Sequence, residues 1–210
     1  KEINVDKLAK FSKKFSMGEI TGIDIPDENY GLMPNSEWKK KYRGEKWQKG
    51  ETLNTVIGQG FTLSTPLQIT LMTARIASGK KLEPKILKRN RYFFEDLDIN
   101  EENLNFVRKS MYKVVNEYEG TAYSSRLENS FKMAGKTGTS QVRKITKKER
   151  ESGVLKNEEL QYKLRDHSLF TGYAPFDNPK FAITVVAEHM GSGSKVAAPI
   201  AKKIIDFALK

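Results

Sequence analysis

The chain has no cysteine, which removes disulfide bridges and thiolate metal sites and fits either the cytosol or a compartment that oxidises thiols. Only two histidines are present, His167 and His189, too isolated in the sequence to suggest a metal centre, and both are expected to be satisfied structural groups. No apolar run approaches the roughly 20 residues that span a bilayer, and no signal-like segment opens the sequence. The first residue is lysine rather than methionine, which reads as an internal piece of something longer. The phosphate-cradling loop Gly-x-x-x-x-Gly-Lys-Thr is also missing. Gly135-Lys136-Thr137 supplies its end, but Ser130 stands where its first glycine belongs, and Gln141-Val142 extends a strand pattern where a helix should begin.

With 210 residues and 38% apolar content, the chain can build the core of one large domain or two small ones. No internal repeat and no firm domain boundary is visible, so residues 1–210 are read as one portion of a domain. The net charge of +11 invites a nucleic-acid or anionic-surface reading, most of all at Lys39-Lys40-Lys41 and Arg143-Lys144-Ile145-Thr146-Lys147-Lys148-Glu149-Arg150. The lysines, however, are spread over the whole chain and mixed with acids, and no aromatic-plus-basic module accompanies them. A solvated lysine-rich surface is therefore expected, with no nucleic-acid partner and with attraction to acidic lipids or wall polymers left open.

Local signals order the chain. Asn4 caps a helix that Gly18 stops. Residues 22–50, rich in turn formers and isolated aromatics, read as a long ordered surface excursion. Thr65-Pro66-Leu67-Gln68 is a capping box with proline at the first helical position, starting a helix that ends at Gly79. Ile86 to Phe94 is read as one short strand, and a second helix is expected from about Asn103 to Gly120. Strands follow at 132–142, 168–174 and 181–187, the last apolar enough to be placed centrally. Gly191-Ser192-Gly193-Ser194 reads as a flexible joint, and Pro199 as the start of a closing helix with Ile200, Ile204 and Phe207 on one stripe. The class is α+β, an antiparallel sheet flanked by helices.

The candidate site is Lys136-Thr137-Gly138-Thr139. In an extended strand Lys136 and Gly138 face one way, Thr137 and Thr139 the other, and Gly138 leaves a bare edge. A peptide-like ligand can lie on that edge, its negative end meeting the hydroxyls and the ammonium group. Valine at Gly138 is expected to keep the strand and block the ligand.

Lys-Thr-Gly is one of three motifs of penicillin-binding and β-lactamase-type serine acyl-transfer enzymes. Together with Gly22-Ile23-Asp24-Ile25-Pro26, Met33-Pro34, Glu37-Trp38-Lys39, Gly50-Glu51-Thr52, Ile57-Gly58-Gln59-Gly60, Thr65-Pro66-Leu67-Gln68 and Arg165-Asp166-His167-Ser168-Leu169-Phe170, it makes nearly the whole chain resemble the C-terminal part of a class B penicillin-binding protein. The Met-Pro, Glu-Trp-Lys and Gly-Glu-Thr pieces are more similar to the elongation type, penicillin-binding protein 2, than to the division type. One departure stands out: no Ser-x-Asn occurs, and the three Ser-x-x-Lys matches at Ser36, Ser78 and Ser110 each have a structural account. The nucleophile-bearing part is therefore expected to lie outside this chain, which alone should be inactive.

The resemblance implies a penicillin-binding/β-lactamase-like fold, present in part, and a serine D,D-transpeptidase that cross-links peptidoglycan stem peptides ending in D-Ala-D-Ala and is acylated by β-lactams. It implies that Thr137 and Thr139 bind the terminal carboxylate, that Lys136 supplies positive potential, and that the Thr139 N–H is an oxyanion-hole donor. No metal or organic cofactor is implied. A cell-wall glycosyltransferase is an implied partner, and the implied location is the periplasmic face of the bacterial inner membrane, reached through an N-terminal anchor absent here. Two other readings stay open: a non-catalytic peptidoglycan- or partner-binding module, and a β-lactamase or β-lactam sensor, which lacks the long Met33 to Thr52 excursion in its usual pattern.

Overall fold

The computed structural model describes residues 4–88, 93–143 and 145–210. They form two compact units, residues 1–104 and 105–210. The sequence marks no such boundary because the division falls inside a helix, Glu101–Asn116, rather than at a glycine- or proline-rich linker.

In the first unit, helix α1 (Val5–Ser12) starts where the Asn4 side chain accepts the Asp6 N–H at 2.7 Å. Helix α2 (Ser36–Arg43) lies within the stretch 22–50 read as an ordered surface excursion, and helix α3 (Lys49–Val56) begins at its end. Their signal is weak because the buried anchor of α2 is not apolar. It is Lys39, 2% exposed, whose Nζ reaches Glu51 at 2.6 Å and Glu45 at 3.1 Å. The hydrogen bond it donates to Glu51 raises the lysine pKa above its ordinary value.

Helix α4 (Pro66–Ser78) has the expected reciprocal cap: Gln68 N–H donates to Thr65 Oγ1 at 3.1 Å, and Thr65 N–H donates to Gln68 Oε1 at 2.9 Å. The buried Gln68 amide also donates to the carbonyls of Ser16, Glu19 and Tyr30, so one side chain caps a helix and ties down two loops. Gly79, at φ 71°, ends the helix. The strand expected at Ile86 to Phe94 is not found among its described residues, and 89–92 lie outside them, as does Lys144 of the basic run.

The second unit holds most of α5 (Glu101–Asn116), then strands β1 (Ala134–Ser140), β2 (His167–Ala174) and β3 (Phe181–Ala187) and helices α6 (Lys147–Ser152) and α7 (Ala197–Ala208). The strands form an antiparallel sheet in the order β1-β2-β3, with Lys136 opposite Thr171 and Gly138 opposite Leu169. The class is α+β as expected. The central strand, however, is β2, whereas the apolar β3 pairs only with β2 among the described residues. None of the β3 residues is fully buried, so its apolar run did not mark the central position.

Helix α7 covers the face carrying Phe170, Ile183 and Val185. It begins two residues before Pro199 and buries Ala197, Ala198, Ala201 and Ile205, while the expected stripe of Ile200, Ile204 and Phe207 faces away, Phe207 being 79% exposed. Small side chains win the contact because the helix must lie close to the sheet. Phe170 is fully buried beneath it, and its ring occupies the space where side chains at Gly135 and Gly172 would stand.

Two outcomes follow from this core. A Cβ at Gly135 would collide with the Phe170 ring and lie 2.7 Å from Thr171 O, so Gly135→Ala is expected to cost about 1–3 kcal/mol or more by thermal unfolding. An unchanged melting midpoint would contradict this packing. Tyr173 is buried with its hydroxyl unpartnered among the described residues, and burial pushes its pKa up to about 12. Below the ordinary value near 10 the phenol is neutral in both states. Between about pH 10 and 12 the unfolded chain ionises first, so this contribution to stability is lost as pH rises. Tyr173→Phe is expected to be no less stable at neutral pH and to lose less stability than the parent above pH 10; denaturant titrations at both pH values check it.

Candidate functional site

Asn116 at the end of α5 donates from Nδ2 to Met133 O at 2.8 Å, which fixes where β1 begins. From there β1 runs along one side of the sheet, and its outer edge has no partner strand among the described residues. Lys136 is exposed, and its Nζ donates to Thr137 O at 2.7 Å. Thr137 is half-buried, with its hydroxyl 2.9 Å from that of Thr121. Thr139, exposed, stands opposite the fully buried Ser168. One cation, two threonine hydroxyls and a strand edge are thus consecutive and held by the same ladder, a set of donors suited to an anionic, extended ligand.

Gly138 is packed more closely than a bare edge implies. A Cβ there would meet Leu169 Cβ at 3.3 Å, and on the helix side Gly193 comes so near that its own Cβ would run into the carbonyl oxygens of Gly138 and Leu169. Valine at Gly138 would require Leu169 to give way by a few tenths of an ångström. The segment Gly191-Ser192-Gly193-Ser194 is no flexible joint either. Gly191 N–H donates to Asp166 O, Ser168 Oγ donates to Ser192 O, and Ala197 N–H donates to Ser168 Oγ, which pins the loop across β1 and β2. Thr121 and Gly193 were invisible as site neighbours. Both are reached only through the tertiary fold, and the sole local hints are Gly120 beside Thr121 and the glycine-rich run that holds Gly193.

The three Ser-x-x-Lys serines are engaged away from their lysines. The Ser36 hydroxyl lies 2.8 and 2.9 Å from the two carboxylate oxygens of Asp6, while Ser78 and Ser110 donate back to Ala74 O and Phe106 O of their own helices. Lys39 is committed to Glu51 and Glu45, and Lys113 pairs with Glu117. The two histidines, isolated in sequence, are neighbours in space: their rings are 4.6 Å apart, and His189 N–H donates to His167 Nδ1 at 2.9 Å. Among the described residues no group of three or more His, Cys, Asp or Glu could hold a metal ion.

A family model, "Penicillin binding protein transpeptidase domain", matches residues 1–206. Peptidoglycan D,D-transpeptidase MrdA of Haemophilus influenzae is 36% identical over 220 residues, covering 99% of this chain and 33% of its own length. MrdA of Acinetobacter baumannii is 34% identical, with 99% and 32% covered. Among solved structures, penicillin-binding protein PBP2 of Helicobacter pylori in complex with MreC superposes with a TM-score of 0.84 at 34% identity, over 99% of this chain and 37% of that one. PBP2 of Pseudomonas aeruginosa gives 0.80 at 33% identity, over 98% and 44%. The chain thus spans about a third of the length of the curated relatives it matches.

Because Gly193 seats β1 against β2, Gly193→Ala is expected to loosen the strand, seen as faster hydrogen exchange at the amides of residues 136–140 than in the parent. Unchanged protection there would show that the loop does not support the site.

Proposed function

The chain belongs to the penicillin-binding protein transpeptidase family, and on that premise we propose that it forms the carboxylate-binding wall of an elongation-type peptidoglycan D,D-transpeptidase, the rest of which lies in a longer protein. The observation that carries this reading is the outer edge of β1, which no strand among the described residues covers, with Lys136, Thr137 and Thr139 in sequence on the strand. A stem peptide ending in D-Ala-D-Ala, or a β-lactam imitating it, would lie along this edge with its carboxylate against the threonine hydroxyls and in the field of Lys136. Residues two apart in a strand direct their main-chain groups the same way, and the Thr137 carbonyl is the one taken up by Lys136 Nζ. That parity supports the Thr139 N–H as the donor that meets the oxyanion when the scissile carbonyl is attacked.

The attacking serine and its lysine partner would come from outside these 210 residues. The engaged hydroxyls of Ser36, Ser78 and Ser110 support that assignment. Attack by that serine gives an acyl-enzyme, and a second peptide's amine resolves it. The H. pylori PBP2 complex with MreC, and a peptidoglycan synthase complex that coordinates polymerization and crosslinking, matched at 30% identity, support protein partners for the whole protein; a glycosyltransferase among them and a place at the outer face of the cytoplasmic membrane belong to the same proposal.

Fluorescent penicillin tests the assignment in the full-length protein. Lys136→Ala is expected to lower the second-order acylation rate by about one to two decades, the worth of a charge-assisted hydrogen bond acting in the transition state. Lys163→Ala, which removes an exposed charge from the turn before β2 rather than from the strand itself, is expected to acylate normally. Equal rates for the two variants would refute the site, and absence of labelling in the parent protein would favour the non-catalytic binding module.

A further inference from the structure

Helix α5 ends in a tight reversal that places one hydroxyl beside the candidate site. At Gly120 the chain comes back so close to the helix that a Cβ would strike the Val114 carbonyl and lie 2.6 Å from Lys113 O, so only glycine fits. Two residues later Ala122 N–H donates to Val114 O at 3.0 Å, and the Ala122 side chain is fully buried in the core with Val115, Met133 and Phe170. Thr121 lies between these two anchors. Its backbone is fixed on both sides while its side chain remains exposed, with Oγ1 2.9 Å from Thr137 Oγ1.

We infer that Thr121 is a positioning residue for carboxylate capture: its hydroxyl donates to Thr137 Oγ1 and so turns the Thr137 proton towards the ligand. The inference rests on the reading of Thr137 as a carboxylate ligand. A hydroxyl carries one proton and two acceptor lone pairs, whereas an ionised carboxylate only accepts. If Thr137 donated to Thr121, it would have nothing to offer a carboxylate. Thr137 can donate to an anion only when the donation within the pair runs from Thr121 to Thr137 and onward to the ligand, and in that direction each bond polarises the next. A ligand carboxylate therefore selects one of the two orders the pair can adopt. The fixed backbone at Gly120 and Ala122 means that Thr121 gives up little additional freedom in doing so.

The experiment uses the full-length protein and measures second-order acylation by a penicillin and by the same penicillin with its carboxylate esterified. Thr121→Val, which keeps the shape and removes the hydroxyl, is expected to slow acylation by the free acid about three- to tenfold, the worth of one neutral hydrogen bond. The ester is expected to lose no more than the small change caused by altered packing. Thr121→Ser, which restores the hydroxyl, is expected to restore the rate, and Thr121→Val combined with Thr137→Val to be no slower than Thr137→Val alone. Should the valine variant not fold, Thr121→Ala takes its place in the same comparison. Equal losses for acid and ester, or no rescue by serine, would overturn the inference. If Thr137→Val is slow and Thr121→Val is not, the inference alone fails; if Thr137→Val itself reacts at the parent rate, the carboxylate reading of the strand fails with it.

Discussion

The second unit depends on room being left around Phe170. Its ring is wholly buried on the central strand and fills the volume that side chains at Gly135 and Gly172 would need, with Ala197, Ala198 and Ala201 of α7 in the same core. A large residue at any of these places would hold the helix away from the sheet, and the loop that carries Gly193 would rise with it. That loop supports the inner side of β1. A single aromatic ring thus helps to govern how firmly β1 is held, through a chain of close contacts.

Firmness matters here because the site's individual attractions are modest. Lys136 is exposed to water, where a lone charge is screened, and each threonine hydroxyl adds about one net hydrogen bond's worth. Capture by such groups is effective only if they are already in place, since ordering a mobile strand would cost about 1–2 kcal/mol per residue and cancel the gain. The network of glycine contacts, the Asn116 bond to Met133 O and the bonds of Ser168 meet that requirement before any ligand arrives. The +11 net charge adds a diffuse attraction for anionic surfaces, but position along the edge is set by the ladder.

Signals written within a few neighbouring residues were legible in the sequence. The Asn4 cap, the Thr65–Gln68 box, the Gly79 stop and the alternation that gives β1 and β2 all depend on local chemistry, and the structure has each of them. What stayed hidden depends on partners distant in the chain. Helix α2 buries a lysine that is tolerable only because Glu51 and Glu45 reach it, so no apolar period announces it. The stripe of Ile200, Ile204 and Phe207 outweighs the alanines in any count of hydrophobicity, yet distance to the sheet rather than apolar mass chose the buried face. At the site itself, the order Lys136-Thr137-Gly138-Thr139 was evident. The packing role of Gly138 and the approach of Thr121 and Gly193 were not, because glycine in a strand looks the same whether it clears space for a ligand or for another part of the protein.

The serines make the same point about reactivity. Ser36, Ser78 and Ser110 each have a lysine three residues on, a spacing that within a helix, as at Ser36 and Ser110, brings two side chains onto one face. In every case the hydroxyl has gone elsewhere: to the Asp6 carboxylate, or back to a carbonyl one turn earlier. Lys39 shows why the lysine fails as well, since a cation held by two carboxylates has no free base form to offer a neighbouring hydroxyl near neutral pH. A nucleophile needs a lysine whose charge is destabilised rather than secured. Lys39 is secured by its carboxylates, and the edge of β1 that no described strand covers carries donors suited to an anion rather than a nucleophile.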